Sequence, residues 1–137
     1  MKQRVFFLIL LYAGGLGHAA TADGRAPPVF SVAGPTIVAF FPLTDAELKS
    51  DDTNEALGDF QYYVGQVEKP LQRRGIKLYQ SYAASFQLKL ETGTEAFTPK
   101  DRGCGYYFVA PGQKPHIEYG VMTGDDLLHE ARKYLNH

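Results

Sequence analysis

Cysteine is almost missing from this chain: Cys104 is the only one. A single thiol cannot close an internal disulfide, and it cannot carry out dithiol exchange without a partner sulfur. Long apolar runs are missing too. The longest apolar stretch, Val5 to Ala13, falls well short of the roughly 20 residues that a membrane-spanning helix requires. No run of lysine and arginine occurs either. Arg73-Arg74 is an isolated pair at a predicted helix end, where cations suit the helix dipole. With no basic tract and a slightly acidic balance, nucleic acid and anionic membrane surfaces are poor partners. There is no internal repeat and no low-complexity tract.

Catalytic and metal signatures are equally scarce. His116, His129 and His137 show no spacing of the H-E-x-x-H kind. The acids Asp45, Glu47, Asp51, Asp52 and Glu55 lack the rhythm of a calcium loop. Neither a metal nor a cofactor is therefore expected. Ser50, Ser81 and Ser85 stand in no G-x-S-x-G elbow, so each reads as a loop or strand serine, and the balance leans away from an enzyme.

What is present begins with an N-terminus shaped like an export signal. Lys2 and Arg4 precede the apolar run, and Ala20-Thr21-Ala22 offers small residues at the spacing a signal peptidase reads. Residues 1–22 are expected to be a cleaved signal peptide, which places the protein in the periplasm or outside the cell. Cleavage leaves roughly 115 residues, enough for one domain with a hydrophobic core. It also removes two basic groups and no acid, so the remainder is mildly acidic.

Residues 23–35 carry Gly24, Pro27, Pro28, Gly34 and Pro35, a composition that suits an extended arm rather than a packed element. The domain is expected to span 36–137. Thr36 to Phe41 is a continuous apolar run between two prolines, which suits a strand buried on both faces. One helical turn fits within Leu43 to Thr53. A longer helix starts near Asp52 or Thr53, with Leu57, Phe60, Val64, Val67 and Leu71 on one stripe. Pro70 interrupts its last turn and Gly75 is placed to end it. Ile76 to Tyr82 reads as a second strand, and Phe86, Leu88 and Leu90 alternate with polar residues as a half-exposed third. Glu91 to Gly103 reads as loop. Tyr106 to Ala110 and His116 to Val121 flank a proline-glycine turn and form a hairpin. Thr123 and Asp126 match a helix cap, with Leu127, Leu128, Ala131, Tyr134 and Leu135 at helical spacing behind them.

The order is buried strand, helix, strand, ambiguous segment, hairpin and terminal helix, an α/β domain with a mixed sheet. In that order the chain resembles the thioredoxin-like superfamily, most clearly over Tyr106 to Leu135, the hairpin and last helix. The resemblance implies a mixed β-sheet flanked by helices. It also implies a Cys-x-x-Cys motif after the first central strand and a cis-proline before the hairpin. Here Leu43-Thr44-Asp45-Ala46 occupies the first place, and Cys104 or Gly105 the second. Ordinary disulfide exchange is therefore not expected.

Two groups remain as candidate site residues. Cys104, between Gly103 and Gly105, reads either as an exposed reactive thiol or as a small packed residue. Tyr62, Tyr106 and Tyr107 offer aromatic surface with a polar tip, as recognition surfaces do. In Tyr62-Tyr63 and Tyr106-Tyr107 neighbouring side chains diverge, so one of each pair is expected to face solvent. The expectation is a binding module for a protein or peptide of the cell envelope; a monothiol redox protein acting through Cys104 is the alternative.

Overall fold

The computed structural model describes residues 26–52 and 54–135, and the expected signal peptide lies outside them. Among the described residues seven strands form two mixed sheets, accompanied by three α-helices. The larger sheet holds β2 (Thr36–Phe40), β3 (Lys77–Ser81), β6 (Gly105–Val109) and β7 (His116–Tyr119), in the order β3-β2-β6-β7. β2 pairs with β3 in parallel and with β6 antiparallel, and β6 pairs antiparallel with β7. The smaller sheet holds β1 (Val29–Ser31), β4 (Phe86–Leu90) and β5 (Gly93–Phe97), in the order β1-β4-β5.

β2 and β6 are buried along their whole length because both faces of the larger sheet are covered. On one face Ile37, Ala39, Tyr106 and Phe108 meet α2 (Glu55–Arg73) and α3 (Gly124–Tyr134). On the other, Val38, Phe40, Tyr107 and Val109 meet Phe30, Val32, Phe86 and Leu88, carried by or flanking the smaller sheet. The molecule is thus three layers, helices, sheet and sheet, with two cores separated by one backbone layer.

The buried stripe of α2 is Leu57, Phe60, Val64, Val67 and Leu71, as the spacing predicts. Phe60 is fully buried and stacks on Tyr106 at 5.9 Å, and such burial contributes about 2–3 kcal/mol. Pro70 lies inside α2, which still runs to Arg73 because Leu71 anchors the last turn in the core. Gly75 then takes φ 74°, a conformation that suits glycine, and turns the chain into β3.

Two expectations change in the tertiary structure. The segment read as an extended, unpacked arm contains β1, which pairs in parallel with β4, and Phe30 on it and Val32 just after it enter the second core. The segment Glu91 to Gly103, read as loop, contains β5 and a short 3-10 turn, Lys100–Arg102. β5 carries only Phe97 inward, so its sequence shows no apolar alternation. Among the described residues no helix is long and apolar enough to cross a membrane.

Candidate functional site

At the carboxyl end of β2 the chain leaves the sheet and turns into α1 (Asp45–Lys49), a five-residue helix. Thr44 caps it reciprocally. Its hydroxyl accepts from the Glu47 N–H at 3.1 Å, and its own N–H donates to the Glu47 carboxylate at 2.8 Å. That backbone N–H holds the Glu47 carboxyl below its ordinary range, aided by the Thr44 hydroxyl and the Arg102 charge.

Between α1 and the first turns of α2 lies an open groove of about 770 Å³. Its floor is Leu43 and Leu57, and its walls carry Glu47, Asp52, Glu55 and Gln61. Asn54 caps α2 here, its side chain accepting from the Leu57 N–H at 3.1 Å. Gln61 donates to the Tyr82 hydroxyl at 3.2 Å, which donates on to Gln80 at 2.9 Å, so the groove wall is tied to β3. Among the described residues lining it are three acids and no base.

The 3-10 turn is fastened to the same end of the molecule. Arg102 reaches Glu47 at 3.4 Å, and the Tyr119 hydroxyl accepts from the Lys100 N–H at 2.9 Å. Asp101 and Arg102 both have positive φ, 53° and 54°, a conformation that non-glycine residues seldom adopt and that concentrates at sites fixed by function or packing. Gly105, where the turn enters β6, is required for close approach. A Cβ there would strike the Glu118 carbonyl and lie 2.9 Å from the Tyr119 Cα.

Cys104 stands just before β6, half-buried against the helix-side core. Desolvation pushes its thiol above the ordinary range, the opposite of what a reactive thiolate needs. Tyr62 is 64% exposed on α2, at helical spacing from Glu55 and Gly58, which line the groove; Tyr62 itself does not line it. Tyr63 is half-buried and meets it edge-on at 5.5 Å. Tyr106 and Tyr107 do not belong to a surface. Both are buried, 0% and 4% exposed, since β6 is covered on both faces and alternation sends one ring into each core. The Tyr106 hydroxyl accepts from the Met122 N–H at 3.1 Å, and Tyr107 packs against Phe86 and Phe97.

The acids lining the groove were visible in the sequence as a polar segment, but nothing there showed that α1 and α2 would face one another across it. His129 is exposed on α3, and His137 lies outside the described residues. His116 meets Glu118 at 2.6 Å. Comparison with protein-family models, with curated proteins and with solved structures returned no match to this chain.

Proposed function

We propose that this chain is an exported binding protein of the cell envelope, thioredoxin-like but without a dithiol, whose groove takes a basic segment of a partner protein or peptide. The observation that carries the reading is the acidic groove at the carboxyl end of the central strand, lined by no basic side chain among the described residues. In α/β sheets ligands gather outside the carboxyl ends of the strands. The thioredoxin-like reading is supported by the strand order β3-β2-β6-β7, the helix after β2 and the helix after the hairpin. Where that family carries its dithiol, this chain carries Thr44 and a helix cap, and β4 and β5 stand between β3 and β6. The raised thiol of Cys104 weighs against the monothiol alternative. Tyr62 supplies an exposed ring on the same helix as Glu55, so a cationic segment with an aromatic or apolar residue is the best complement.

The test is fluorescence anisotropy with two labelled peptides of matched apolar content, one rich in lysine and arginine and one rich in glutamate. The basic peptide is expected to bind and to weaken as salt rises, because exposed charges are screened. Combining Glu47→Gln, Asp52→Asn and Glu55→Gln should weaken binding at least about 10-fold, roughly 1.4 kcal/mol. Equal binding of the acidic peptide, or no response to charge removal, would sink the proposal.

A further inference from the structure

His116 and Glu118 stand two residues apart on β7, so their side chains leave the strand on the same face. That face looks toward α3. The His116 ring stacks on Tyr134 with 3.5 Å between centroids and 16° between planes, and Phe108 lies 6.1 Å away. Glu130 precedes Tyr134 by one helical turn and brings a third donor to the same place. One donor atom from each of His116, Glu118 and Glu130 lies within 4.8 Å of the other two.

We propose that His116, Glu118 and Glu130 form a binding site for a divalent transition-metal ion of the zinc type, joining the edge strand β7 to α3. One imidazole nitrogen and two carboxylate oxygens, with a fourth position open to water, form a donor set that zinc accepts. The imidazole favours zinc over calcium and magnesium, which take oxygen ligands. Ligand bonds of about 2.0–2.2 Å place neighbouring donors roughly 3.3 Å apart in a tetrahedron. The 2.6 Å contact between His116 Nε2 and Glu118 Oε2 and the 4.8 Å outer limit bracket that spacing. The His116 and Glu118 side chains are 33% and 36% exposed, so an ion can enter and the carboxylates can rotate onto it. Stacking on Tyr134 fixes the imidazole in advance. Lys133 is a cation near Glu118 and Glu130, exposed and with its ammonium over the Tyr134 ring at 5.2 Å. It can move aside when an ion brings two positive charges to the same carboxylates.

The test is calorimetric titration of zinc chloride into the metal-free protein near neutral pH. A single saturable site is expected. His116→Ala and Glu130→Gln should each weaken it at least about 10-fold, and His129→Ala, one residue from Glu130, should leave it unchanged. Cobalt in place of zinc should give the visible absorption of a four-coordinate ion, lost in the His116 variant. Circular dichroism checks that the variants fold; should His116→Ala fail, Glu130→Gln, on the outer part of α3, carries the test. The proposal is overturned by the absence of saturable heat up to about 1 mM zinc, by variants that bind as the parent does, by loss of binding in His129→Ala, or by tighter binding of calcium than of zinc.

Discussion

At the scale of single residues, burial decides chemistry that composition leaves open. Cys104 is flanked by glycines, which in isolation suggest access, yet its side chain packs against the helix-side core and desolvation raises its thiol. In the folded protein its alkylation by iodoacetamide should be at least about 10-fold slower than in denaturant near neutral pH. Its pH midpoint should lie above the free-thiol value of about 8.5. Fast reaction with a midpoint below that value would restore the monothiol reading. Tyr106 and Tyr107 carry the same lesson. Alternation along a strand correctly separates the two rings, but whether the second face meets solvent depends on a sheet formed by residues elsewhere.

Among the elements, those with a period in their own sequence were readable. The stripe of α2, the fully apolar β2, the hairpin of β6 and β7, and the capped start of α3 appear where spacing places them. β1 and β5 carry no such period. β1 is three residues long among prolines and glycines, and β5 offers one inward apolar side chain, Phe97. Both are strands because β4 gives their backbones a partner on either side. A test of β1 is Phe30→Ala, which removes a ring stacked on Tyr79 at 4.7 Å and set against Phe86 at 5.8 Å. Loss of about 3–5 kcal/mol in urea unfolding is expected if β1 is part of the core. A loss under about 0.5 kcal/mol, the usual size of a surface change, would return the segment to an extended arm outside the core.

For the molecule as a whole, enclosing tyrosines in two cores makes stability sensitive to alkali. Burial raises the phenols of Tyr82, Tyr106 and Tyr107 above their ordinary 10.0, and the thiol of Cys104 moves up for the same reason. A group whose value is raised on folding holds its proton more tightly in the native state. Its contribution is complete below the unfolded value and is lost as pH rises through the folded one. Urea midpoints should therefore stay level to about pH 9 and fall from about pH 10 upward. A midpoint unchanged at pH 11 would show that these groups ionise without strain.

The amino-acid sequence by itself determined the elements whose apolar residues repeat at helical or strand spacing, since that spacing creates a face that must be buried. It also limited the sulfur chemistry to one thiol. Only the tertiary structure decided what covers the second face of β2 and β6, and therefore that Tyr106 and Tyr107 are core. It decided that α1 and α2 enclose an acidic groove, and that Glu130 joins His116 and Glu118. These outcomes depend on groups from separate elements meeting in space, and local periodicity carries no record of which elements will meet.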